Sequence, residues 1–72
     1  PEFYAKLAAY EAQLTNQEWK VCLLVKLNFI PSELTVLLNL SKQRVTNIRT
    51  HLNQKLFGES GSRTFDSNLH KL

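Results

Sequence analysis

Gln43, Thr46, Asn47 and Thr50 lie close together in the chain, and the cations Lys42, Arg44, Arg49 and Lys55, with His51, are interleaved with them. An Asn or Gln amide offers a donor and an acceptor side by side, which matches the adenine edge in the DNA major groove. Hydroxyls can pair with several bases, and cations reach phosphates on the groove walls. Whether these groups act together depends on the backbone beneath them. Val45, Ile48, Leu52 and Leu56 recur at steps of three, four and four, which predicts one apolar stripe on a helix over 41–57. Ser41 is its predicted N-cap. At roughly 100° per residue, the face opposite the stripe carries Gln43, Thr46, Asn47, Thr50 and Gln54. Lys42 and Arg49 fall on one flank, and Arg44, Lys55 and His51 on the other. Gln43, Thr46, Asn47 and Thr50 are therefore the candidate base readers. Ser41, Lys42, Arg44, Arg49, His51 and Lys55 are the candidate phosphate contacts. No acid between Glu33 and Glu59 opposes them. An ordinary amphipathic helix with a solvated face has the same pattern, so this stretch alone leaves both readings open.

Catalytic chemistry is poorly provided for. Ser41, His51, Asp66 and Cys22 could be assembled into a triad on paper, but Cys22 lies in an apolar run, where a thiol is far more often a small core hydrophobe. There is no paired carboxylate, Gly-rich phosphate loop or metal-ligand spacing. The sequence is thus read as a non-enzyme that needs neither metal nor cofactor.

Seventy-two residues make one small domain. Apolar residues are 43% of the chain and only two Gly and two Pro interrupt it, which favours packed helices over disorder. One cysteine excludes an internal disulfide, and with it an oxidising compartment is not implied, so a cytoplasmic setting is expected. No apolar run approaches the roughly 20 residues of a membrane span, and no membrane contact is expected. The chain begins at Pro1 and lacks Met, so it is read as a piece of a longer protein. Its net charge of +3 is modest. The acids lie in the first 33 residues and the last 14, leaving the cationic stretch unopposed.

The elements that must hold this stretch are predicted to be helical throughout. Residues 1–13 read as a linker or covering helix, near 3–13, with a partial stripe of Phe3 or Tyr4, Leu7, Tyr10 or Glu11, and Leu14. Residues 14–72 read as the domain proper. Leu14-Thr15-Asn16-Gln17-Glu18 supplies a capping box and staple for a helix near 15–27, with Val21, Cys22, Leu24, Val25 and Trp19 toward the core. Asn28 suits a left-handed end, and Pro31 suits the first position of a helix near 31–38, with Leu34, Leu37 and Leu38 on one face. Asn39 and Leu40 then make a tight turn into Ser41. A short helix, a tight turn and a capped amphipathic helix form a helix-turn-helix, whose second helix is the reader. Gly58 ends that helix, residues 59–63 are a polar connection, and Thr64 or Asp66 is the predicted cap of a last helix near 64–71. The predicted core is Val21, Leu24, Val25, Leu34, Leu38, Leu40, Val45, Ile48, Leu52 and Leu56. The fold class is all-α: a small bundle of four core helices plus an N-terminal one, containing a helix-turn-helix.

From Leu14 to Phe57 the chain resembles the LuxR/FixJ-type (GerE-like) DNA-binding domain. The resemblance is carried by Leu14-Thr15 with Glu18, Val21-Cys22, Glu33-Leu34-Thr35, Asn39-Leu40-Ser41, Arg44-Val45-Thr46 and Lys55-Leu56. Lys55-Leu56-Phe57-Gly58, then Gly61-Ser62 and Phe65-Asp66, are similar to the C-terminal domains of Bacteroidetes transcriptional regulators. The resemblance implies double-stranded DNA as partner, a homodimer on DNA, and an upstream sensor, tetratricopeptide array or coiled coil. In that family the helix after the reader often makes the dimer contact, whereas here Phe65 and Leu69 can also fold back on the domain. Asn28 stands where the family has Gly, Thr35 where it has Ala, and Thr46 where it has a groove-facing Lys. Two other readings of the same residues are a helical protein–protein interaction module and a sigma-factor-like promoter reader.

Overall fold

A computed structural model of the chain describes residues 2–9 and 14–72. It contains five helices, α1 (Glu2–Ala8), α2 (Asn16–Lys26), α3 (Pro31–Leu38), α4 (Lys42–Phe57) and α5 (Phe65–His70), and no strand among the described residues. The fold is a small all-α bundle. The four core helices stand where the sequence predicts them, to within a residue or two at each end. The opening helix reaches Ala8 with Ala9 in a turn; its predicted continuation through positions 10–13 lies outside the described residues.

The starts of α2, α3 and α4 each have a local cause. The Thr15 N–H donates to Glu18 Oε1 (2.9 Å) and the Glu18 N–H donates to Thr15 Oγ1 (3.1 Å), closing the capping box of α2. At α3 Pro31 takes the first turn and the Ile30 N–H donates to Glu33 Oε1 (2.9 Å). At α4 Ser41 Oγ accepts from the Arg44 N–H (3.0 Å). Turns are set by Asn28 (φ 73°) and Asn39 (φ 53°), both left-handed, and by Gly58 (φ 69°). Asn28 takes the left-handed conformation because its side chain is tolerated there. Thr35 turns its hydroxyl back to donate to Ser32 O (2.6 Å).

The core is built from Leu7, Val21, Cys22, Val25, Leu34, Val45, Ile48, Leu52, Leu56, Phe65 and Leu69, all buried. Seven of the ten predicted core residues are among them. Leu24, Leu38 and Leu40 instead pack half-buried at its edge, because α2 and α3 turn only part of their apolar faces inward. Leu7 brings α1 onto the bundle, and Tyr4 stacks on Trp19 (centroids 4.6 Å apart, 14° between planes). Phe65 and Leu69 are fully buried, so α5 folds back on the domain, and their side chains are spent in its own core.

Thr64 stands at the N-cap position of α5, as predicted, but its side chain makes no cap hydrogen bond, and Asp66 lies within the first turn. Thr64 Oγ1 donates to Glu59 Oε1 (2.6 Å) and accepts from Asn53 Nδ2 (3.0 Å), while Asp66 Oδ1 accepts from Arg49 Nη2 (2.6 Å). A buried amide explains the first arrangement. Asn53 is 0% exposed, and its Nδ2 also donates to Gly61 O (3.0 Å) while its Oδ1 accepts from Asn68 Nδ2 (3.1 Å). One side chain of α4 thereby pins the 58–64 connection and α5. Hydrogen bonding of Glu59 itself to the Thr64 and Asn68 side chains holds its carboxyl below its usual range.

Candidate nucleic-acid interface

Helix α4 forms because Ser41 caps it, Gly58 stops it and the stripe Val45, Ile48, Leu52 and Leu56 is buried. Asn39 in the left-handed conformation and half-buried Leu40 fix the angle at which α3 hands over to it. Burial of that stripe leaves the opposite face to solvent. Gln43, Asn47 and Gln54 are exposed there, and Thr46 and Thr50 are half-buried. Gln43 Nε2 donates to Asn47 Oδ1 (2.8 Å), an i,i+4 amide pair along the outer face. The pair leaves Asn47 Nδ2 as a donor and Gln43 Oε1 as an acceptor on two exposed residues.

The six candidate phosphate contacts separate into three kinds. Lys42 is exposed with no ion-pair partner among the described residues, and Arg44, also exposed, donates from Nη2 to neutral Gln17 Oε1 (3.2 Å). Neither faces an acid in an ion pair among the described residues. His51 and Lys55 share an acid: His51 Nε2 lies 3.6 Å from Glu18 Oε2, and Lys55 Nζ 3.5 Å from Glu18 Oε1. Burial pushes the Glu18 carboxyl up, but the Thr15 N–H, Lys55 and His51 outweigh it, and the group is held below its ordinary value. The third kind is already occupied. Ser41 Oγ accepts the cap bond from the Arg44 N–H and keeps only its hydroxyl hydrogen to offer a phosphate.

Arg49 is the clearest departure from the sequence reading. Its side chain is 12% exposed, and it holds Asp66 at 2.6 Å and Ser62 O at 3.4 Å. It ties α4 to α5 rather than facing a groove wall. The physical reason is its position on the wheel, which leans toward the buried stripe, together with an acid on α5 placed opposite.

Three residues that the sequence reading did not assign to the site shape it. Gln17 positions Arg44, and Glu18 draws Lys55 and His51 inward. Asn53 stations the 58–64 connection beside the end of the helix. Asn53 carries a signal in the sequence, since it lies next to Leu52 and four residues after Arg49 on the inward side; Gln17 carries none. Between the start of α2 and α4 there is a recess of about 340 Å³ lined by Gln17, Glu18, Arg44, Asn47 and His51. Cys22 offers no nucleophile, because burial, with the Glu18 charge adding to it, pushes its thiol up to about 12. Among the described residues no cluster of His, Cys, Asp or Glu could hold a metal ion, and no helix is long and apolar enough to cross a membrane.

Comparison with family models, with curated proteins and with solved structures returns no match to this chain.

Proposed function

We propose that this domain binds double-stranded DNA sequence-specifically as the output module of a bacterial transcriptional regulator of the LuxR/FixJ type, with α4 lying in the major groove. The observation that carries this reading is the outward Gln43–Asn47 amide pair, flanked by the uncompensated charges of Lys42 and Arg44 on the second helix of a helix-turn-helix. The pair keeps a donor on Asn47 and an acceptor on Gln43, the two kinds of group that an adenine edge pairs with. Lys42 and Arg44 stand at the helix start, where the first turn of a reader crosses the phosphate wall. Thr46 and Thr50, on the edges of the face, suit a thymine methyl or a phosphate oxygen. Lys55 and His51, shared with Glu18, make the weaker phosphate contacts. Arg49 is left out of the interface.

The exposed α4 face is polar along its length, which suits base edges better than the apolar anchor that a protein partner would need. The longest extent of the molecule is 29 Å, shorter than the roughly 34 Å of one DNA turn. One copy therefore covers a single half-site, and tight binding calls for a pair of copies, brought together by self-association or by the upstream sensor of a longer protein. The test is selection from random duplexes, followed by titration of the selected and scrambled sites over a salt series. An enriched site, with affinity falling steeply as salt rises, is the expected result. No enrichment and no salt-dependent binding of any duplex would overturn the reading.

A further inference from the structure

The recess of about 340 Å³ between the start of α2 and α4 is lined by three ionisable side chains, Arg44, His51 and Glu18. Arg44 and His51 stand on one row of α4 with Asn47 between them, at steps of three and four. Asn47 belongs to two surfaces, since it lines the recess and also forms half of the exposed amide pair. Glu18 is the group that opposes an anion here. Its Oε1 is engaged by the Thr15 N–H (2.9 Å) and by Lys55 Nζ (3.5 Å), whereas Oε2 faces His51 Nε2 at 3.6 Å. No other acid among the described residues lies within ion-pair distance of His51; Asp66, which α5 brings to α4, is held by Arg49. On α4 itself Lys55 follows His51 by one turn and Arg44 precedes it by two, so both oppose its protonation while Glu18 favours it. The His51 side chain is 66% exposed and open to a ligand.

We infer that this recess seats one backbone phosphate of the bound duplex with His51 protonated, so that DNA binding takes up a proton. The inference rests on the reading of α4 as a DNA reader, and it names the place of one phosphate and the condition for holding it. The recess adjoins Asn47, on the side where the phosphate wall of the groove flanks the base being read. Charge decides when it is occupied. With His51 neutral, Arg44 and Glu18 cancel within the recess; with His51 protonated, one positive charge is left over. Hydrogen bonding points the same way. A phosphodiester only accepts, and so does the Glu18 carboxylate. A protonated imidazole donates from both nitrogens and can serve the two together, whereas a neutral one has a single N–H and serves one. Imidazole is also the side chain whose charge ordinarily changes between pH 5 and 8. By linkage, affinity for DNA falls as pH rises through the range in which His51 gives up its proton.

Titration of a generic duplex at several salt concentrations, from about pH 5.5 to about pH 8, tests the inference. Wild-type affinity is expected to fall roughly tenfold over this range. The salt slope is expected to be steeper by about one at the acid end, for the one additional phosphate contact. His51→Gln should bind with little dependence on pH, at the level of wild type at the alkaline end. His51→Arg, charged throughout, should keep at the alkaline end the affinity that wild type has at the acid end. His70→Gln, remote from the recess, should retain the wild-type pH dependence. Circular dichroism at each pH checks that all four proteins are folded. Duplex bound equally at both ends of the range by wild type would overturn the inference and leave α4 as a DNA reader. A pH dependence that survives His51→Gln, or is lost in His70→Gln, would also overturn it. No binding of any duplex at any pH would overturn both readings.

Discussion

Asn47 and Arg44 sit one helical turn apart or less, yet the geometry gives them different tasks. Asn47 belongs to the outward amide pair, while Arg44 leans over the start of α2 toward Gln17. Replacing Asn47 with Ala is expected to relax discrimination at one base position by roughly 1–3 kcal/mol and leave the salt dependence nearly unchanged. Arg44→Ala should weaken selected and scrambled duplexes alike and lower the salt slope by about one. Paired titrations at several salt concentrations separate the two, and equal losses on both duplexes for Asn47→Ala would reverse the assignment. Arg49 supplies the contrast. With its guanidinium on Asp66, Arg49→Ala should cost roughly 1–3 kcal/mol in urea unfolding and leave the salt slope of DNA binding in place. A slope that fell by one, with stability unchanged, would return Arg49 to the groove.

At the scale of elements, two polar devices hold the reader to its neighbours. Asn53 joins α4 to the 58–64 connection and to α5 through three hydrogen bonds. Asn53→Ala takes the Asn53 Nδ2 donor from Gly61 O inside a part-buried network, so a loss of roughly 1–3 kcal/mol is expected from chemical denaturation. Stability equal to wild type would mean that water replaces the amide without cost. Glu18 joins α2 to α4 through Lys55 and His51. Because its folded pKa lies below the ordinary carboxylate value, its contribution is present above that value and is lost as pH falls through the folded pKa. Glu18→Gln keeps a capping-box side chain and removes the charge. Its stability is expected to fall less steeply than the wild type's on the acid side of pH 4.5, measured by melts over a pH series; parallel curves would deny the ion pairs a role. Glu59, also lowered, contributes in the same direction in both proteins.

For the molecule as a whole, the core is small and each member matters. Ile48→Ala or Leu52→Ala should cost roughly 2–5 kcal/mol. That is much of what a domain of this size possesses, so thermal melts should show partial or complete unfolding. Melts matching wild type would mean that the stripe does not carry the fold. The longest extent of 29 Å also limits the interface that one copy can bury, and a lone domain is expected to bind a specific duplex only weakly at physiological salt. Nanomolar specific binding by a sedimentation-proven monomer would contradict this.

The helices were legible in the chain because their signals are local. The box from Thr15 to Glu18, Pro31, the stripe from Val45 to Leu56, and Gly58 each act within a turn or two of backbone. The tight turn at Asn39 was legible for the same reason, and with it the order of short helix, turn and long helix. So was the polar outer face of α4, since a stripe facing inward dictates what faces outward. Which cations remain available was not legible. Arg49 and Lys42 lie on the same flank of α4; Arg49 leans toward the buried stripe, but only the arrival of Asp66 on α5 takes its charge out of the interface. Lys55 and His51 are compensated by Glu18 from a helix far away in sequence. Asn53 reads as one more polar residue until the 58–64 connection closes over it. Local periodicity determined the elements and their faces; charge compensation and buried polar pairing were decided by tertiary structure, because both depend on groups distant in sequence meeting within a few ångströms.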